Sequence, residues 1–214
     1  MINFKNIQLC KDKCKIAIFP GSFNPIHFGH LNIERDLIEL EKFKKVIFVP
    51  SGKYHHKKDL IDENFRLEML QISTKLERRF EICDFELNQN KFISSDITVK
   101  HIIERFDSSL QTAKLFFVLG GDMLPKVLLW PTLDKLVENV FLLLCKRPAF
   151  DLNSEIFSHS IPKKAIDRLY LFEPKQVSDL SSNKVRTLIK EEDDIKSLVP
   201  KEVVKYINSN KLYR

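Results

Sequence analysis

The chain is expected to be an α/β protein, a Rossmann-like doubly wound parallel sheet with further helices at its C-terminal end. Three observations point there. Runs such as Val46-Ile47-Phe48-Val49, Leu115-Phe116-Phe117-Val118-Leu119 and Val140-Phe141-Leu142-Leu143-Leu144 are almost continuously apolar, as strands covered on both faces should be. Helical stretches separate most of them, and strands alternating with helices imply right-handed crossovers and parallel pairing. Near the start, a turn rich in glycine and proline lies between an apolar run and a helical segment, where ligands bind in such sheets.

Taken in order, strands are expected at residues 15–19, 45–49, 80–85, 114–119, 140–145 and 168–172. Helices are expected at 29–42, 62–77, 96–107, 132–138, 181–190 and 200–209. The first helix is read from Ile33, Leu37, Ile38 and Leu40, which recur on one face. Ser95 or Asp96 caps the third, and Ser181 and Ser182 stand where the fifth begins. Val204 and Tyr206-Ile207 mark the last. No repeat or linker divides the chain, so one domain over 1–214 is expected, with 1–14 as a basic N-terminal extension lying on the surface.

Composition excludes more than it selects. With 43% apolar and 30% charged residues and 17 phenylalanines, the chain is globular and without low-complexity bulk. A formal charge of +6 favours anionic partners without choosing among nucleotides, nucleic acid and membranes. The run Val140 to Cys145 is far too short to cross a bilayer, and Met1 to Leu9 reads as no export signal. Cys10, Cys14, Cys83 and Cys145 read as free thiols, and a reducing cytoplasm is expected.

The segment Phe19-Pro-Gly-Ser-Phe-Asn-Pro-Ile-His-Phe-Gly-His30 holds the first candidate site. Gly21 is expected to take backbone angles closed to other residues, Pro20 and Pro25 to shape the turn, and Gly29 to let backbone approach a ligand. Amides at a helix start point at an anion, and His27 and His30, three apart, can donate to phosphate oxygens. A structural or surface role is open to any single histidine. The whole pattern, Gly-Ser-Phe-Asn-Pro-x-His-x-Gly-His, resembles the signature of the nucleotidyltransferase superfamily with the histidine-x-glycine-histidine motif, most closely the bacterial nicotinate-nucleotide adenylyltransferases. Asn24 stands where that family often has Asp, and Pro20 where it often has a second Gly.

The resemblance continues to the C-terminus. Pro50-Ser51-Gly52-Lys53-Tyr54-His55-His56-Lys57, otherwise a solvated basic loop, is similar to a family loop that would put His56 and Lys57 near the acceptor's phosphate, with Tyr54 and His55 replacing prolines. Arg66 and Met69 match a family pattern, Met69 reading as core and Arg66 as a phosphate or structural candidate. Ser95 and Thr98 align with a motif at the nicotinate end in which Ser94 replaces a Tyr. Gly120-Gly121-Asp122, a turn and helix cap in its own right, resembles a stretch where Gly120 and Asp122 line the adenosine pocket. Trp130 reads either as core or as the wall beside the pyridine ring, and Arg147 would stand at the site mouth. Ser181-Ser182-Asn183-Lys184-Val185-Arg186 resembles the motif that binds the ATP triphosphate, Asn183 replacing Thr.

What the resemblance implies is a sheet of the nucleotidyltransferase type and adenylyl transfer from ATP to nicotinate mononucleotide, giving deamido-NAD and pyrophosphate. His27, His30 and Arg186 would be catalytic; Gly21, Ser22, Phe23, Gly120, Asp122, Ser181 and Ser182 would complete the ATP site. His56, Lys57, Ser95, Thr98, Trp130 and Arg147 would bind the acceptor. Magnesium would come with ATP, and no metal site built from protein side chains is expected. A monomer or homodimer with neither nucleic-acid nor membrane partners is expected. Rival readings are transfer to nicotinamide mononucleotide or phosphopantetheine, or a nucleotide-binding protein of this fold without turnover.

Overall fold

A computed structural model describes residues 5–6, 14–53, 60–105, 113–147, 162–175 and 179–214. Among the described residues its sheet is wholly parallel, seven strands in the order β1-β7-β6-β5-β2-β3-β4. The strands are β1 Lys5–Asn6, β2 Lys15–Gly21, β3 Lys45–Pro50, β4 Phe80–Ile82, β5 Lys114–Gly120, β6 Phe141–Cys145 and β7 Leu169–Phe172. The helices are α1 Phe28–Glu39, α2 Glu63–Thr74, α3 Ser95–Arg105, α4 Leu124–Val127, α5 Leu133–Asn139, α6 Lys163–Ile166, α7 Ser182–Lys190 and α8 Lys201–Ser209. The doubly wound class and its principal elements are as the apolar runs predict.

Alternation along each strand builds two cores. Ala17, Phe19, Phe48, Phe116 and Val118 face α1, α2, α7 and α8, while Ile16, Ile18, Ile47, Phe117 and Leu119 face α3, α4 and α5. Phe116 lies at the centre of the first, its ring edge-on to Phe43 at 5.3 Å and to Tyr170 at 5.4 Å.

Beyond small shifts of helix ends and two unexpected short helices, α4 and α6, these details differ from expectation. The extension does more than pack on the surface, because Lys5–Asn6 pairs in parallel with Tyr170 and Leu171 as an edge strand. The first helix stops at Glu39, and Lys42 turns the chain at φ 56. β4 ends at Ile82, although Cys83 just beyond it stays buried. Pro20 lies within β2, opposite Val49, and so shapes the strand end rather than the turn.

Arg66, on α2, is wholly buried. Its Nη1 donates to the Ser22 carbonyl at 2.9 Å and its Nε to the Ile61 carbonyl at 3.2 Å, so a guanidinium inside the core fixes the loop after β2. Of the two roles open to it, the geometry gives the structural one. Arg66→Met should leave both carbonyls unsatisfied and lower the unfolding free energy by about 2–4 kcal/mol, read by denaturant titration.

Candidate active site

The winding reverses between β2 and β5, so a crevice opens beyond their carboxyl ends, Gly21 and Gly120. A cleft of about 830 Å³ occupies it. Gly21, Ser22, Phe23, His27 and His30 line one wall. Gly120, Asp122, Trp130 and Arg147 line another, and Ser181, Ser182 and Arg186 close the third. Ser95 borders the same space.

The first wall is set by ring packing. Gly21 keeps ordinary backbone angles, and no described glycine has a positive φ. What Gly21 supplies is room, since a Cβ there would meet the Phe23 ring at 2.9 Å. Phe23 itself takes the left-handed turn at φ 46, which seats its buried ring against Phe48 at 5.7 Å and His30 at 5.2 Å. His27 is the N-cap of α1 and stacks on His30 with ring centres 3.7 Å apart. Gly29 is small for the same reason, because a Cβ would stand 3.0 Å from the His27 ring.

The two imidazoles differ electrostatically. His30 Nδ1 accepts the His27 backbone N–H at 3.4 Å, which leaves Nε2 to carry the proton in the neutral ring. His27 is 2% exposed, and its Nδ1 has no hydrogen-bond partner. Burial, then the nearby Arg147 charge, lowers its pKa from 6.5 to about 3, so the ring is neutral at pH 7. Arg147 sits 3.6 Å from Asp122 across the space a Gly120 side chain would fill. Glu34, one turn beyond His30, is fully buried with neither carboxyl oxygen bonded, and burial raises its pKa well above 4.5.

The third wall is joined to the first directly. Ser182 Oγ donates to the Pro25 carbonyl at 2.8 Å, and Arg186 Nη1 to the Asn24 carbonyl at 2.9 Å. Those partners are 157 and 162 residues apart in sequence. Ser181 caps α7, its hydroxyl accepting the Lys184 N–H at 3.2 Å, and the α7 start faces the cleft. From the C-terminal segment, Tyr213 donates to Asn24 Oδ1 at 3.0 Å.

A family model described as cytidylyltransferase-like matches residues 18–188. A Clostridium tetani protein named "Probable nicotinate-nucleotide adenylyltransferase" is 32% identical over 202 residues, covering 94% of this chain and 99% of that one. A Moorella thermoacetica protein of the same name is 32% identical, covering 94% and 92%. The chain belongs to the nicotinate-nucleotide adenylyltransferase family. The Plasmodium falciparum nicotinic acid mononucleotide adenylyltransferase complexed with NaAD shares the fold of this adenylyltransferase family member at 21% identity and a TM-score of 0.75, over 94% of this chain and 98% of that one. The same Plasmodium protein complexed with APC superposes with a TM-score of 0.72.

Thr98 is the residue the structure moves. It is 1% exposed and does not border the cleft, and its hydroxyl donates to Glu86 Oε1 at 2.8 Å. Glu86 is the group at the wall, so Thr98 acts on this adenylyltransferase's cleft only through it. The sequence reading missed Glu86, and the available signal was its place just past β4, on the same carboxyl edge as the other loops. It also missed Asn24 as the meeting point of Arg186 and Tyr213. Trp130 has both of its candidate environments, cleft on one side and Phe117 at 6.3 Å on the other. His56 and Lys57 lie outside the described residues. Among the described residues, no three His, Cys, Asp or Glu side chains are grouped to hold a metal ion.

The pKa of His27 makes stability pH-dependent. Its folded pKa is depressed below 6.5, so the unfolded chain takes up the proton first; the stabilisation is whole above pH 6.5 and lost as pH falls toward 3. His27→Gln should remove up to about 1.4 kcal/mol per pH unit from the slope of unfolding free energy in that window. Denaturant titrations at pH 4, 5 and 6 measure it, and an unaltered slope would mean that the ring is not held neutral.

Proposed function

We propose that the chain transfers the adenylyl group of ATP to nicotinate mononucleotide, giving deamido-NAD and pyrophosphate, in the cytoplasm. The single observation that carries this reading is the joining of the two histidines and the Ser181-Ser182-Arg186 cluster around one cleft. Supporting it are family membership and the names of the relatives.

A mononucleotide phosphate oxygen attacks the α-phosphorus, and the bond from that phosphorus to the β-bridging oxygen breaks, its electron pair leaving with pyrophosphate. No protein nucleophile takes part. Rate comes from alignment of two bound anions and from donors placed where charge builds. His30 Nε2–H donates to the phosphate at the reacting centre, and His27 shapes the same wall as a neutral ring. Arg186 and the backbone amides at the start of α7 hold the leaving end, while the Ser182 hydroxyl keeps α7 against the loop. Magnesium enters as part of the ATP substrate, with phosphate and water as its main ligands.

Gly120 and Asp122 face the adenosine, leaving Ser95, Trp130 and Arg147 for the acceptor, together with His56 and Lys57. Pyrophosphate release with purified protein, magnesium and ATP should depend on nicotinate mononucleotide and be slower with the amide or with phosphopantetheine. Preference for either alternative would overturn the acceptor assignment. His30→Ala should lower kcat by about a hundredfold or more with the thermal unfolding midpoint little changed, the scale of losing one oriented oxyanion donor. An undiminished kcat would place the chemistry elsewhere.

A further inference from the structure

A second cavity, of about 220 Å³, adjoins the main cleft and shares Asn183 and Arg186 with it. Its remaining lining is Thr187, Lys190, Tyr213 and Arg214. Asn183, Arg186, Thr187 and Lys190 follow the i, i+3, i+4, i+7 spacing of one α7 face. Three of the six residues are cations and none is acidic, so the chemistry suits a small polyanion. The volume is below the roughly 300 Å³ of ordinary small-molecule pockets and suits an anion smaller than a nucleotide.

Four of the six lining residues are tethered by hydrogen bonds. Arg186 Nη2 donates to Asn183 Oδ1 at 3.0 Å, and Arg214 Nη2 to Asn208 Oδ1 at 3.4 Å. Tyr213 is anchored on Asn24, in the same loop that carries His27. We propose that this cavity is a receiving site for the inorganic pyrophosphate released in the main cleft, an assignment that rests on the adenylyl transfer set out above. Arg186 borders both spaces, so the anion keeps one guanidinium beside it as it moves from one to the other. Lys190 and Arg214 border only the second.

The test is calorimetric titration of inorganic pyrophosphate into the full chain with the main cleft saturated by a methylene-bridged, unreactive ATP analogue. One equivalent should bind, about tenfold more weakly in Lys190→Ala and weaker again when Arg214→Ala is added, with affinity for the ATP analogue unchanged. In turnover, Lys190→Ala should raise the inhibition constant of pyrophosphate about tenfold while kcat and KM for ATP stay as they are. No binding once the cleft is filled, equal binding of sulfate, or a parallel loss of ATP affinity in Lys190→Ala would each overturn the proposal. The calorimetric arm needs no reaction, so absent adenylyl transfer would defeat the functional reading and still leave the pocket's own result to be read.

Discussion

The whole site depends on two hydrogen bonds from α7 to main-chain carbonyls of the loop after β2, Ser182 to Pro25 and Arg186 to Asn24. They bring the third wall of the cleft against the first. Without them, α7 would be held by its buried Val185 and its neighbours, and the cleft would lose a defined width. Both acceptors are backbone atoms, so the contact depends on the path of the loop, not on the side chains at 24 and 25. That path is in turn fixed from below by Arg66 and from the side by the Phe23 ring. A chain of such constraints reaches from the interior of α2 to the C-terminal segment through Tyr213.

Charge is distributed to suit this arrangement. His27 is kept neutral beside Arg147, and burial disfavours the charged form of Glu34 on the buried face of α1. His27 therefore adds no formal charge to the first wall, while Arg147 and Arg186 supply positive charge from the other two. A polyanion entering the cleft meets cations on two sides and oriented dipoles on the third.

Most of the fold was legible because strands of a parallel sheet buried on both faces are written as unbroken apolar runs, as in Leu115 to Leu119. Lys5–Asn6 was not, since two polar residues carry no period and pair only because β7 presents an edge. The meeting of His27 and His30 with Arg186 was expected from the resemblance of their motifs. Composition and periodicity contain nothing that joins positions so distant in sequence. Thr98 illustrates the opposite failure: its helical position was read correctly, but whether its hydroxyl met the cleft or Glu86 depended on a turn 12 residues earlier. Gly21 was assigned the wrong virtue for a similar reason, because only the Phe23 rotamer shows that space, not backbone freedom, was needed.

The sheet's margins have a consequence of a different kind. Among the described residues, its two outer strands, Lys5–Asn6 and Phe80–Ile82, are two and three residues long, flanking much longer central ones. A stranger chain seeking to extend the ladder would find hardly a rung to grasp. In a chain with 17 phenylalanines, margins this short leave little on which fibrous pairing could begin.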